Sequence, residues 1–108
     1  MNEKKVAMVQ SNYIPWKGYF DMINLADEFI LYDHVQYTTS DWRNRNKIKT
    51  HEGMMWLTIP IRNKFPQKIK DTVVSYRGWN RKHWKSIVRN YSRTNYFQSY
   101  REFFEELY

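Results

Sequence analysis

The sequence predicts an α/β domain that begins with a Rossmann-like βαβ unit and continues with a mixed sheet, a β-hairpin and C-terminal helices. Three observations predict it. Two short apolar runs, residues 6–9 and 28–32, flank a glycine-containing turn and a helical stretch, and a crossover of that kind makes its two strands parallel. A polar turn holding Gly53 separates two hairpin arms, and apolar side chains recur at helical spacing through the last thirty residues or so.

Val6, Ala7, Met8 and Val9 form an apolar, partly β-branched run that stops at Gln10, Ser11 and Asn12, as a buried strand opening onto a loop does. Residues 12–18 contain Pro15 and Gly18, which break regular structure twice and leave Tyr13, Trp16 and Lys17 projecting from a loop. Beyond it, Phe20, Ile23, Asn24 and Asp27 share one side of a short helix, with Tyr19, Met22 and Ala26 beside them. Residues 28–32 are the second buried strand, ending at Asp33. Residues 47–50 and 55–61 are the hairpin arms around His51, Glu52 and Gly53, the glycine supplying a positive φ. Pro60 puts the end of the second arm there, or places that arm at an edge. A basic loop over residues 63–70 precedes a further strand at 71–76. Asn80 is suited to cap a helix carrying Trp84, Ile87, Val88 and Tyr91. Residues 95–108 set Phe97, Tyr100, Phe103, Phe104 and Leu107 on a last helical face. Glu102, Glu105 and Glu106 crowd its end, where the helix dipole disfavours negative charge, and no Gly or basic residue closes it. That helix is expected to continue, or to dock on something else.

At 108 residues the chain is a single domain. Its 20 Trp, Tyr and Phe outnumber the 18 Val, Ile and Leu, so it packs largely with rings, two kinds of which carry a polar atom suited to the walls of sites and interfaces. The net charge of +7 is unevenly spread: residues 42–93 carry fourteen Lys and Arg against Glu52 and Asp71 alone, whereas the flanking segments are net acidic. Such a division points to a surface that meets phosphate, nucleotide, nucleic acid or anionic sugar, with a solvated basic face as the plain alternative. The absence of cysteine excludes disulfides, thiolate metal sites and thiol nucleophiles. No signal-peptide-like stretch opens the chain and no run approaches membrane-spanning length, so a cytoplasmic protein without membrane insertion is expected.

In open α/β sheets ligands sit outside the carboxyl ends of the strands, which places a site between residues 10–17 and 33–36. Arg43, Asn44, Arg45 and Lys47 make a dense cationic and amide group suited to a phosphate, because guanidinium forks bind its oxygens bidentately. Trp42 can stack on a base or a sugar face. Asp33, at a strand end, is a candidate general base, metal ligand or hydroxyl acceptor, or else a turn cap. His34 and His83 can each move protons near neutral pH, although a hydrogen-bonded structural role is the ordinary one for a lone histidine; His51 falls at the hairpin tip. Metal binding lacks support from ligand spacing, since Asp33 and His34 are adjacent and no second group meets them. No motif names a cofactor, and its identity stays unknown. Gly18, Gly53 and Gly78 stand too far apart for a phosphate loop.

Residues 10–20, reading Gln-Ser-Asn-Tyr-Ile-Pro-Trp-Lys-Gly-Tyr-Phe, together with residues 33–37, the Arg-Asn-Arg-Asn-Lys run at 43–47, residues 57–60, Trp84, Asn90, Tyr91 and residues 95–97, resemble the WbqC-like family in the same order along the chain. Two positions depart from the family pattern: Ser11 stands where a proline is usual, and so does Asn95. The resemblance implies a bacterial cytoplasmic protein of surface polysaccharide and O-antigen biosynthesis, with transfer of an acyl or aminoacyl group such as glycine to a sugar as the suggested activity. It further implies that residues 1–108 correspond to the N-terminal half of a longer protein. On this basis the expected ligand is a sugar or nucleotide sugar, with Asp33 and His34 as catalytic candidates. Gln10, Tyr13, Trp16, Lys17, Gln36, Trp42, Arg43, Asn44, Arg45, Lys47 and His83 are the binding candidates. The competing expectations are a basic, aromatic nucleic-acid-binding module and a catalytically incomplete fragment that associates with a second copy through its C-terminal helix.

Overall fold

The structure is a computed structural model and describes residues 3–108. Strand β1 (Val6–Val9), helix α1 (Lys17–Leu25) and strand β2 (Glu28–Leu31) form the βαβ unit. The strands pair in parallel, Val6 opposite Glu28 through Val9 opposite Leu31. Backbone bonds extend the pair at both ends, from the Asp27 amide to the Lys5 carbonyl at 2.8 Å and from the Tyr32 amide to the Val9 carbonyl at 2.8 Å. Strands β3 (Arg45–Thr50) and β4 (Gly53–Thr58) form the hairpin, and α2 (Trp79–Tyr91) and α3 (Phe97–Leu107) follow. The mixed α/β content thus consists of a parallel pair and an antiparallel pair, each a separate two-stranded sheet.

α1 lies on one face of the parallel pair. Its inward residue is Tyr19, 4% exposed, whose ring meets Phe29 of β2 edge to face at 5.5 Å. The inward stripe is therefore Tyr19, Met22 and Ala26, whereas Phe20 and Ile23, which the sequence pattern sets on the main apolar side, are exposed. The other face of the sheet is open: Val6, Met8 and Ile30 are 52%, 55% and 39% exposed. Lys17 and Gly18 belong to the first turn of α1, with Trp16 in the cap position, so the loop is shorter than expected.

The hairpin begins at Arg45, two residues before the predicted arm, which puts Arg45, Asn46 and Lys47 on a strand. Its turn is tight because Gly53 takes a φ of 122°, conformational space that side chains rarely enter. Ile48 and Leu57, 5% and 4% exposed, bury one face beneath α2; full burial of such side chains contributes about 1.5–3 kcal/mol each. The strand expected at 71–76 reduces to a 3₁₀ turn, Ile69–Asp71, and a single bridge between Ile61 and Val74. Pro60 has no N–H to donate, so the pairing is confined to two bonds, Arg62 amide to Val73 carbonyl and Ser75 amide to Pro60 carbonyl.

Helix α2 starts one residue earlier than the predicted cap. Gly78 occupies the cap position, and Asn80, already helical, uses its amide to donate to the Tyr108 carbonyl. α3 is held to α2 by rings: Phe97 and Tyr108 both lie near-parallel to Trp84, at 6.2 and 5.8 Å. Phe103, Phe104 and Leu107 remain exposed. No helix among the described residues is long and apolar enough to cross a membrane.

Candidate functional site

The carboxyl end of β1 opens into a cavity of about 520 Å³ walled by Val9, Asn12, Pro15, Trp16, Trp42, Arg43 and Asn46. Two chain segments meet there, the loop after β1 and the residues leading into β3. The Tyr13 amide donates to the Trp42 carbonyl at 3.0 Å. The Arg43 side chain is 13% exposed, and its Nη1 donates to the Ser11 carbonyl at 3.2 Å and to Asn12 Oδ1. Its Nη2 lies 3.6 Å from the Asp41 carboxylate, and its Nε is buried without a partner. The guanidinium is thus largely stripped of water, with its Nη atoms held by Ser11, Asn12 and Asp41.

Asn46 fixes the loop from β3. Its Nδ2 donates to the Tyr13 carbonyl at 3.1 Å and to the Ile14 carbonyl at 2.6 Å, and Ile14 between them has a φ of 48°. A β-branched residue in the left-handed region is strained, so these two bonds offset a local cost and set the direction in which Pro15 and Trp16 leave. Asp33 anchors the same loop from β2, where its Oδ1 accepts from the Ser11 amide at 2.9 Å and its Oδ2 from the Ser11 hydroxyl. The two strand ends are therefore joined by a carboxylate whose oxygens are both engaged. Hydrogen bonding to the Trp42 amide, reinforced by Thr38 and the two arginines, holds the Asp41 carboxyl below its ordinary range.

Beside the cavity is an aromatic and cationic platform. Trp42 lies 5.8 Å from Trp56, and the Arg45 guanidinium and Lys47 ammonium stand 4.1 and 4.8 Å from the Trp56 ring centre. Arg45 also donates to the Ser40 carbonyl at 3.0 Å. In the β3–β4 register Lys47 faces Trp56 directly, and Arg45, two residues earlier, is on the same face.

Of the candidates read from the sequence, Trp16, Trp42 and Arg43 line this cavity, and Arg45 and Lys47 stand on the adjoining platform. The others are placed elsewhere. Lys17 pairs with Asp21 on the outside of α1 at 2.8 Å. Gln10 contributes its carbonyl to the Tyr19 hydroxyl, and Gln36, exposed, donates to the Tyr37 carbonyl. Asn44 is a structural tie, accepting from the buried Tyr37 hydroxyl at 2.7 Å and donating to the Ile59 carbonyl at 2.9 Å. His34 is exposed in the bend after β2.

Tyr13 and His83 meet each other away from the cavity. His83 is buried, with Nε2 3.0 Å from the Thr58 carbonyl and Nδ1 2.8 Å from the Tyr13 hydroxyl, which is also 2.6 Å from the Tyr108 hydroxyl. A neutral ring satisfies both contacts, donating to Thr58 and accepting from Tyr13. Burial lowers the His83 pKa, with the Thr58 bond acting the other way, and burial together with the Tyr108 contact raises that of Tyr13. This chain of groups ties the β1 loop to the hairpin, α2 and the end of α3.

Asn12, Asn46 and Trp56 are site residues that the sequence reading left out of its candidate set. Trp56 stands opposite Lys47 because Thr50 pairs with Gly53 across a two-residue turn, whereas the three-residue turn read from the sequence sets Leu57 there. Among the described residues there is no group of three or more His, Asp or Glu arranged to hold a metal ion.

These features define a small α/β domain with a basic, tryptophan-walled cavity at the carboxyl end of its first strand. The chain belongs to the WbqC-like protein family, whose match covers residues 10–108. It is 49% identical over 107 residues to the uncharacterized protein Rv1507c of Mycobacterium tuberculosis, an alignment covering 97% of this chain and 46% of that protein. The chain thus spans about half the length of that curated relative. No solved structure matches it.

Proposed function

We propose that the cavity binds a sugar or nucleotide sugar. In this reading the chain supplies the recognition half of a transferase that adds an acyl or aminoacyl group, such as glycine, in bacterial surface polysaccharide synthesis. One observation carries the binding assignment: Trp16 and Trp42, 56% and 47% exposed, flank a cavity that Arg43, a largely buried cation, helps to line. Exposed indole faces suit the apolar face of a pyranose or a base, and the guanidinium suits a phosphate or carboxylate. Arg45 and Lys47 extend the anionic subsite. Asp33, committed to Ser11, acts as a positioning residue that keeps the β1 loop in register.

The exposed side of the β1–β2 pair supports the accompanying proposal that residues 1–108 are the N-terminal half of a longer protein, because parallel strands ordinarily have both faces covered. The transferred group and the catalytic atoms then depend on both halves.

Calorimetric titration with a panel of nucleotide sugars at fixed salt tests the binding assignment. Saturable binding of one or a few is expected. Loss of a stacked ring in Trp42→Ala costs about 1–3 kcal/mol, a weakening of roughly 5- to 150-fold, and Arg43→Ala weakens binding by a similar factor. Binding that is unchanged in both variants would defeat the assignment.

The Trp42–Trp56 platform with Arg45 and Lys47 also favours a second reading, single-stranded nucleic acid. That predicts affinity for many oligonucleotides falling steeply with salt. No binding at low ionic strength eliminates it.

A further inference from the structure

A second cavity, about 690 Å³, lies where the bridged segment at 73–77 passes the start of α2. It shares no lining residue with the first. Its walls include Arg62, Tyr76, Arg77, Trp79 and Asn80. Arg62 and Arg77 are brought to it by the irregular pairing that replaces the expected strand, in which the Arg62 amide donates to the Val73 carbonyl at 2.8 Å. Neither arginine has a carboxylate within ion-pair distance among the described residues. No Asp or Glu side chain lines the cavity and none occupies the first turn of α2; Leu107 and Tyr108, at the end of α3, complete the wall.

Two arginines that line one space without a carboxylate partner offer the donor set that phosphate oxygens accept bidentately. The aromatic part of the wall is equally specific. Tyr76 folds back over Gly78, where a Cβ would fall 2.5 Å from the tyrosine hydroxyl. Any side chain at position 78 would therefore displace that ring. Lys82 lies over the Tyr76 ring at 5.1 Å, adding a third positive charge and helping to hold the ring in place. The volume falls in the range of small-molecule and cofactor sites, about 300–1,000 Å³.

We infer that this cavity is a binding site for a phosphorylated small molecule carrying a planar ring, of the nucleoside diphosphate class. Arg62 and Arg77 take the phosphates, and Tyr76 and Trp79 flank the ring. The site is independent of the cavity at β1. A ligand here is held at the hairpin-distal strand bridge and the α2 start, whereas a sugar at β1 is held by the loop that Asn46 pins.

The test is calorimetric titration of the chain with uridine diphosphate and with inorganic pyrophosphate, alongside backbone amide NMR shifts. Both probes are expected to saturate, with shifts concentrated at residues 73–80. The double variant Arg62→Ala/Arg77→Ala should weaken both by tenfold or more. Tyr76→Ala and Gly78→Ala should weaken uridine diphosphate by fivefold or more while leaving pyrophosphate within twofold. Arg43→Ala, which weakens the sugar site, should leave the shifts at residues 73–80 unchanged for both probes, whatever binding it removes at the β1 cavity. The arginines are surface side chains, so the double variant is expected to keep the wild-type circular dichroism spectrum. Absence of saturable binding of either probe at millimolar concentration would overturn the inference, as would wild-type affinity in the double variant. Shifts at residues 73–80 that vanish in Arg43→Ala and persist in Arg62→Ala/Arg77→Ala would overturn this site while leaving the proposed sugar site intact.

Discussion

Acidification should destabilise the fold through His83. The ring is 6% exposed and meets two partners that its neutral form satisfies together, Thr58 through an N–H at Nε2 and Tyr13 through a lone pair at Nδ1. Protonation would place a second N–H against the Tyr13 hydroxyl and bury a charge, and burial accordingly holds the folded-state pKa below the ordinary 6.5. The unfolded chain then takes up its proton at higher pH than the folded one. The stabilisation is complete above 6.5 and is lost as pH falls through the folded-state value. One proton limits the slope to about 1.4 kcal/mol per pH unit, and each kcal/mol corresponds to about 4–8 °C in Tm for a domain near this size. Thermal denaturation followed by circular dichroism from pH 8 to 5 measures it directly. His83→Gln, which keeps a donor for Thr58 but cannot titrate, should start lower by about 1–3 kcal/mol and show a flatter profile. A His83→Gln profile parallel to that of the wild type would refute the assignment, since the proton would then belong to another group.

Three further outcomes are expected. Asp33→Asn leaves one of its two terminal atoms unable to accept from Ser11, so urea denaturation should register a loss of about 1–3 kcal/mol; an unchanged midpoint would show that the strand-end tie carries no energy. Asn46→Ala frees the Tyr13 and Ile14 carbonyls and should weaken sugar binding tenfold while shifting Trp16 fluorescence, and wild-type affinity would count against the pinned-loop geometry. Gly53→Ala forces a side chain into a φ of 122° and should cost about 1–3 kcal/mol, read as a lower Tm; a neutral effect would mean that the turn relaxes to another conformation.

The order of elements was legible because each rests on local signals. The run at 6–9 is β-branched and ends in polar residues, Gly53 permits the hairpin turn, and Trp84, Ile87, Val88 and Tyr91 repeat with the period of a helix. Where local signals compete, the structure departs from them. Residues 71–76 look like a strand, but their partner is interrupted by Pro60, so a single bridge forms. Asn80 looks like a cap, yet Gly78 takes the cap position and Asn80 is drawn to Tyr108. Phe20 and Ile23 look like core, yet α1 turns Tyr19, Met22 and Ala26 to the sheet and leaves both exposed.

The site divides in the same way. Sequence alone determined the composition of the surface: a basic middle rich in Trp and Tyr, the polar exit of the first strand, and the cationic run at 43–47. Tertiary structure decided which of those residues face one another. It separated Tyr13 and His83 into a buried hydrogen-bonded chain, committed Asp33 to Ser11, and set Asn44 as a tie between Tyr37 and Ile59. It also brought Asn12, Asn46 and Trp56 into the group. The physical reason is that a side chain's type states what it can bind, whereas its partner depends on contacts between residues far apart in the chain. Arg43 and Asn12 are 31 residues apart, and Tyr13 and His83 are 70 apart; no pattern within a short window encodes such a pair.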